Sequence, residues 1–539
     1  MIHNMRHALA VAWLSVGAAF GAGLTGIRPD AGAPGLSRRR IRPESVGDVK
    51  WVKASWETSV NRAKLMFPLS SLRPDLRPRV GVFGIGLAAY WPQFSGLKER
   101  LAAYQEGVER RLEALGAEVV SAGLVDTAPA ARAAGELLAK SGADLIVCYV
   151  GTYATSSQVL PVVQHCGKRV LVLNLQPSSA LDYANTDTGE WLANCSVCSV
   201  PEISNAFARA RIPFQVVSGT LAGDKPWREI AEWLDAARAV AALRQARIGF
   251  LGHTYPGMLD MYSDFTMVQA QTGAHVEVLE MCDLEKRLPE PGEAPVMARL
   301  GEARAVFEVL DSVAGGDLAW AAQVSVALDR LVADFDLQGL SYYYRGLDGN
   351  AYERLGAGLI LGNSLLTARG VPASGEGDLK TCLAMFLLDR LDAGGSFTEF
   401  CAMDFDEGFV LMGHDGPGHI AISNERPVLR GLGLYHGKRG FGVSVEFKVK
   451  VGPVTILGVT QTAEGRLKML AAEGESLPGP ILRVGNTNSR LRFSLAPDEF
   501  VNAWCAEGPT HHCALGVGHV AGRLGKVSRL CEIPLVGVG

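Results

Sequence analysis

With 539 residues, the chain exceeds the size at which a single hydrophobic core stops growing, so roughly two to four domains are expected. Hydrophobic residues make up 48% and charged residues 20%, a balance that excludes a largely disordered chain. A formal net charge of −4 supplies no basic field for nucleic acid or an anionic membrane surface.

Residues 8–26, ALAVAWLSVGAAFGAGLTG, form an apolar run behind His3, Arg6 and His7, and RPDAGAPGLSRRRIRP follows without periodicity. The run reads as a signal peptide or short anchor, or as an extension from an upstream start outside the working protein. The cytosolic texture of the rest favours the extension. From Arg79 the pattern alternates between short β-rich runs and amphipathic helices. RVGVFGIG, AEVVSAG, DLIVCYV and RVLVLNL read as strands; LKERLAAYQEGVERRLEALG and AARAAGELLAKSG read as helices. This is the signature of a parallel sheet flanked by helices. A second series opens at Arg247 with RIGFLGHTYPGM and continues through AHVEVLEMCD, one long helical stretch from about Val296 to Asp334, and the strand-like GLSYYY. After about Ser396 the texture turns to Gly-punctuated β-like runs, FGVSVEFKVKVGPVTILGVTQT, RLKMLAAEG and LRVGN, which read as an antiparallel sheet or barrel. Helices near DEFVNAWCAEG and GHVAGRLGKVSRL close the chain. The expected class is α/β: an N-terminal extension (1–77), two tandem Rossmann-like parallel-sheet domains (78–244 and 245–395), and a C-terminal β-barrel-like domain (396–539).

The ten cysteines lie far apart, several of them in apolar runs, such as Cys148 and Cys382, which fits core thiols in a reducing compartment. Cys195 and Cys198 form the one CxxC; without a second CxxC or a nearby His pair it reads as two loop or core cysteines rather than a zinc site.

Candidate chemistry concentrates in the C-terminal half. Glu376, in SGEGDLKT, sits before an amphipathic helix and reads as a cap, unless Asp378 takes that role and frees it. Glu399, in GGSFTEF, has apolar and aromatic neighbours. His414 and His419 share the loop GHDGPGH, and His511 and His512 form an adjacent pair of which, on an extended segment, at most one faces a given site. Taken one at a time, each has an ordinary reading as a surface or loop residue. Two carboxylates and two imidazoles together suit Mn²⁺ or Co²⁺, whereas Mg²⁺ prefers oxygen alone.

SGEGDLKT, GGSFTEF, LMGH and GPTHH resemble, in order and approximate spacing, the metal-site motifs of the L-arabinose isomerase and L-fucose isomerase group. The resemblance covers roughly residues 78 to 539, densely in the C-terminal half. It implies that Glu376, Glu399, His414 and His512 hold a divalent metal, most simply Mn²⁺ with Co²⁺ as the alternative. His512 is favoured over His511 because HHCALGVGHV looks like the fucose isomerase C-terminus. The sequence departs from the arabinose motifs at Leu379, where they have Trp, at Phe400, where they have Asp, and in carrying His419; these departures bear on the sugar more than on the metal. The resemblance further implies Gln176 in LVLNLQP as a sugar contact, and a homotrimer or homohexamer in which a neighbouring subunit roofs the site. Tyr90, Trp91 and Gln93 in AAYWPQF are then further sugar contacts, since rings stack on sugar C–H faces and amides bond hydroxyls. The implied activity is cytoplasmic aldose–ketose isomerisation of a pentose or 6-deoxyhexose through an ene-diolate, with Glu376 and Glu399 as the acid/base pair. A non-enzymatic sugar-binding protein, or a family member with altered activity, is the competing reading.

Overall fold

The computed structural model describes residues 71–344, 351–423, 425–432, 442–484 and 486–539. The segment before residue 71, on which the reading of an extension, signal or anchor falls, lies outside them. No helix among the described residues is long and apolar enough to cross a membrane.

Five strands, β1 (Arg79–Ile85), β2 (Glu118–Val125), β3 (Leu145–Tyr149), β4 (Val170–Gln176) and β5 (Phe214–Thr220), form a parallel sheet in the order β2-β1-β3-β4-β5. Every residue of β3, and every residue of β1 after Arg79, is buried. That explains their unbroken apolar runs, because helices cover both faces of a parallel sheet. One of these, Leu97–Ala114, buries Leu97, Leu101, Gln105, Val108 and Leu112, the stripe expected of 3.6-residue periodicity.

The second sheet is built from β6 (Arg247–Gly252), β7 (His275–Leu279), β9 (Gly339–Tyr343) and β10 (Ala373–Ser374), all parallel, in the order β10-β9-β6-β7. Between β7 and β9 the two-residue strand β8 (Glu308–Val309) corrects one expectation. The stretch read as a single long helix is two helices, Ala294–Val306 and Gly315–Asp334. Phe307–Val309 leaves the helical path, Glu308 and Val309 pair with another strand, and Gly315 and Gly316 open the second helix.

The C-terminal part contains β11 (Gly394–Asp404), β12 (Phe409–His414), β13 (Val428–Gly431), β14 (Val443–Glu446), β15 (Gly452–Gln461), β16 (Leu467–Ser476), β17 (Thr487–Arg492), β18 (His512–Val517) and β19 (Leu535–Gly537). Antiparallel pairing runs β15-β18-β11-β12-β17-β16 and returns to β15, closing a six-stranded barrel. β19 joins β16 in parallel, while β13 pairs with β14 on one side and β8 on the other in a small separate sheet. The run FGVSVEFKVKVGP is therefore divided between two sheets. LRVGN, expected as strand-like, is irregular through Val484, and β17 begins at Thr487.

The helix Leu379–Arg390 is buried at all of its positions and packs on β9 as well as on β11, β15 and β18. It lies between the second sheet and the barrel, which accounts for the apolar residues all around KTCLAMFLLDRL. Its N-terminus, the turn after β10, the end of β12 and the start of β18 meet at one place.

Candidate metal centre

Barrel register sets the first three donors. Glu399 on β11 stands directly opposite His512 on β18 and, on its other side, opposite Gly413 on β12. Directly opposed residues share a sheet face, so the Glu399 carboxylate and the His512 ring project together. His414 ends β12, one residue beyond Gly413. Ligating atoms of Glu399, His414 and His512 all lie within 4.8 Å of one another. Phe397 walls the pair of rings, its centroid 4.6 Å from His414 and 4.3 Å from His512.

Glu376 arrives from the second sheet. Asp378, not Glu376, caps the helix Leu379–Arg390, accepting from the Thr381 N–H at 3.0 Å and the Thr381 hydroxyl at 2.8 Å. Glu376 is left in the turn, in the left-handed region at φ 60°, with Gly377 following at φ 72°. A non-glycine residue there costs about 1–3 kcal/mol, a conformation that persists where surrounding structure enforces it. The enforcement is visible: the Glu376 carbonyl accepts from Tyr255 N–H at 2.9 Å, and Gly377 N–H donates to the Tyr342 carbonyl at 2.9 Å. A Cβ at Gly377 would strike the His253 and Thr254 backbone. The turn aims the Glu376 carboxylate at a second convergent group, Glu376, His511 and His512, again within 4.8 Å. His512 belongs to both groups.

Hydrogen bonds fix which ring nitrogens are free. His512 is fully buried, and its Nδ1 stands 3.1 Å from Asp378 Oδ2; His414 Nδ1 bonds the Asp415 carbonyl. Both acceptors demand a proton on Nδ1, so in the neutral rings each Nε2 carries a lone pair. Those two Nε2 atoms face each other at 3.2 Å. Opposed lone pairs repel, and a cation held between them removes the repulsion. Glu376 Oε2 is buried without a hydrogen-bond partner, with His512 Nε2 and His511 Nε2 at 3.7 and 3.8 Å. The donor set, two oxygen and two nitrogen donors with their outer nitrogens anchored, fits a divalent transition metal.

Charge follows the same pattern. Burial alone would raise the Glu376 carboxyl, but the His511, His512 and His414 imidazoles hold it below the ordinary glutamate value. Burial lowers the His512 imidazole, and Asp378 does not fully offset it, which keeps the ring neutral. His511 behaves oppositely: burial would lower it, yet Glu376 and Asp260 push it up to about 9. Asp260 Oδ2 accepts from both the His511 backbone N–H at 2.9 Å and the His511 Nδ1 at 2.7 Å.

The expectation that only one of the adjacent histidines faces the site is therefore corrected. Their ring centroids lie 3.8 Å apart with the planes tilted by 41°, and both rings approach Glu376. β18 begins at His512 while His511 lies in a bend, so the alternation of an extended strand does not apply across the pair. His419 is buried but outside both groups, with its Nε2 3.9 Å from Asp389. Asp260 and the second role of Asp378 were not anticipated; no spacing in the sequence pairs Asp260 with His511.

The four expected sugar contacts lie at the carboxyl ends of the first sheet's strands. Gln176 ends β4 and donates to the Ser178 carbonyl at 2.6 Å. Trp91 Nε1 donates to Asp126 at 2.8 Å, Gln93 to the Ala89 carbonyl at 2.7 Å, and Tyr90 meets Phe94 edge-on at 6.1 Å. None of these contacts joins them to the Glu/His cluster.

No protein-family model matches the chain. Among curated relatives, the L-arabinose isomerase of Acidothermus cellulolyticus is 23% identical over 432 residues, 77% of this chain and 84% of the relative. Sulfoquinovose isomerases of Alkalicoccus urumqiensis and Priestia aryabhattai are 24% and 21% identical; the alignments cover 55% and 72% of this chain and 66% and 84% of theirs. Among solved structures, Escherichia coli D-lactate dehydrogenase aligns at a TM-score of 0.14 and 11% identity over 59% of this chain and 94% of that one. The similarity to L-arabinose and sulfoquinovose isomerases runs through most of the chain.

Proposed function

We propose that the chain is a divalent-metal-dependent aldose–ketose isomerase of a pentose or 6-deoxyhexose, with Mn²⁺ as the working metal and Co²⁺ as a substitute. The observation that carries this reading is the convergence of Glu399, His414 and His512 on one point, with two Nε2 lone pairs opposed at 3.2 Å and the Glu376 carboxylate aimed alongside. Glu376, Glu399, His414 and His512 would hold the cation. When bound, it supplies positive charge against which negative charge on adjacent sugar oxygens can develop.

The residues divide the remaining work. Isomerisation moves a proton between C1 and C2 and a second one between the flanking oxygens. Glu376 and Glu399 form the acid/base pair, one taking the carbon-bound proton and the other serving the hydroxyl, and the ene-diolate of the sugar lies between the two transfers. The Glu376 Oε2, unpartnered and anionic, is suited to accept a proton. Asp378 and the Asp415 carbonyl keep the Nε2 atoms of His512 and His414 deprotonated. Phe397 keeps water from one side of the pair. Protonation of the imidazoles competes with the cation, so activity falls in acid.

In this reading residues 78–244, 245–395 and 396–539 act as three domains of a cytoplasmic homotrimer or homohexamer. The first domain of a neighbouring copy lends Tyr90, Trp91, Gln93 and Gln176 to the sugar. The test is ketose formation by the purified full chain from pentoses, 6-deoxyhexoses and sulfoquinovose, with and without Mn²⁺, alongside elemental analysis. Stoichiometric metal that is lost in Glu376→Gln, together with metal-dependent turnover, is the expected result. Turnover indifferent to chelation, or a metal-loaded chain inert to every sugar, overturns the proposal.

A further inference from the structure

We propose that Cys195 and Cys198 form a thiol–disulfide site, converted to an intramolecular disulfide by low-molecular-mass disulfides such as oxidised glutathione, and that this site is coupled to the Gln176 segment. The two Sγ atoms stand 2.9 Å apart, closer than non-bonded sulfurs pack and within a side-chain rotation of the roughly 2.05 Å of a disulfide bond. The residues occupy a junction between two helices. Cys195 follows the helix Thr188–Asn194, and Cys198 is the N-cap of the helix Ser199–Arg209.

Their environments differ in the way a nucleophile and a resolving thiol require. Cys198 is exposed at a helix N-terminus, where an outside reagent can reach its sulfur. Its side chain caps none of the helix amides. The one acid of that first turn, Glu202, is turned away to accept from the Ser156 N–H at 2.8 Å. Cys195 is buried. Burial first, and the Cys198 thiol second, push its own thiol up to about 12, so it does not react directly with outside reagents.

The chemistry closes with two exchanges. Cys198, losing its proton to water as it reacts, attacks one sulfur of the external disulfide, forming a mixed disulfide on Cys198 and expelling one thiolate. Cys195, losing its proton to water as it reacts, attacks Cys198 Sγ and expels the second. The external disulfide is reduced to two thiols while the protein dithiol is oxidised by two electrons.

A short hydrogen-bonded path leads from this pair toward β4. Asn194, next to Cys195, accepts from the Ser178 hydroxyl at 2.5 Å, and the Ser178 carbonyl accepts from Gln176 Nε2 at 2.6 Å. Closing the Cys195–Cys198 loop therefore acts on the segment that holds Gln176. The thiol–disulfide site does not depend on Gln176 being a sugar contact; its consequence for sugar binding does.

The test treats the reduced full-length protein with graded ratios of reduced and oxidised glutathione, followed by peptide mass mapping. The expected product is a Cys195–Cys198 disulfide formed before modification of exposed Cys401 and Cys505. Cys195→Ala should trap glutathione on Cys198, and Cys198→Ser should leave Cys195 unmodified. Glutathione spread over Cys401 and Cys505 with the pair still reduced, or a mixed disulfide that persists on Cys198 in the native chain, overturns the site. Hydrogen–deuterium exchange over residues 176–194 should differ between the reduced and oxidised forms; identical exchange overturns the coupling. Neither readout uses isomerase activity, so failure of the enzymatic reading would leave this result interpretable.

Discussion

Asp378 offers a sharp separation of folding from metal binding, because it is wholly buried and its two oxygens do different jobs. Oδ1 caps the helix through the Thr381 N–H, and Oδ2 takes the Thr381 hydroxyl and faces His512 Nδ1. Asp378→Asn can place its amide oxygen at the capping position, where Asn and Asp are about equally good. Its NH₂ group then confronts His512 Nδ1. Two donors cannot face each other, so His512 must move its proton to Nε2, the atom that faces His414 Nε2. A protonated Nε2 is no ligand. The swap exchanges one set of hydrogen bonds for another, so stability should change by about 1 kcal/mol or less, while metal affinity falls roughly 10–100-fold as for lost outer-shell partners. Asp378→Ala loses the cap, worth about 1 kcal/mol, and orphans the buried His512 Nδ1–H, worth about 1–3 kcal/mol, for a sum of roughly 2–4 kcal/mol. Calorimetric Mn²⁺ titration and scanning calorimetry of the metal-free chains measure both effects. Wild-type Mn²⁺ affinity in Asp378→Asn, or equal stability of the Asn and Ala variants, would refute the tautomer argument.

Three further outcomes follow from the same geometry. Glu376→Gly should relieve roughly 1–3 kcal/mol of left-handed strain against about 0.5–1 kcal/mol of glycine entropy, raising the melting temperature of the metal-free chain slightly while abolishing its response to Mn²⁺; a lowered melting temperature would count against the strain. Asp389 is buried with Arg390 bonded to it and Arg73 at 2.7 Å, so Asp389→Asn should cost about 3–5 kcal/mol. Burial would raise this carboxyl, but His419, Arg73 and Arg390 hold it below 3.8; its stabilisation is thus complete above the ordinary carboxylate range and lost as pH falls through the depressed value. Denaturation midpoints of wild type and variant should converge in strong acid, and a constant gap down to pH 2 would contradict this. In the metal-free chain the His511 imidazole should titrate near 9 by NMR, its ion pairs stabilising fully below 6.5 and fading as the pH rises through 9; a midpoint at 6.5 would show that Asp260 and Glu376 do not hold the proton.

The parallel sheets were legible because strands buried on both faces write continuous apolar runs, as LIVCY does, and the barrel because its ten-residue strands β15 and β16 are β-rich runs bounded by turns. The small sheet of β8, β13 and β14 was not, since strands of two and four residues carry no period. Glu376, Glu399, His414 and His512 were picked out by family resemblance, each having an ordinary local reading as well. What brings Glu399 to His512 is strand register between distant segments, which periodicity does not encode. The same holds for His511 and Asp260, paired across 251 positions. Asp378 was legible as a cap, but its second oxygen on His512 required the barrel to be in place.

The glycine at position 413 sets a boundary for anyone redesigning the neighbourhood. It sits in the β12 ladder opposite Glu399, so close to Thr487 and Asn488 that a methyl group would run into their main chain. Any larger residue would lever β12 away from β17 and carry His414 with it. Libraries aimed at new sugars should leave this residue alone, whatever they vary in the loop beyond it.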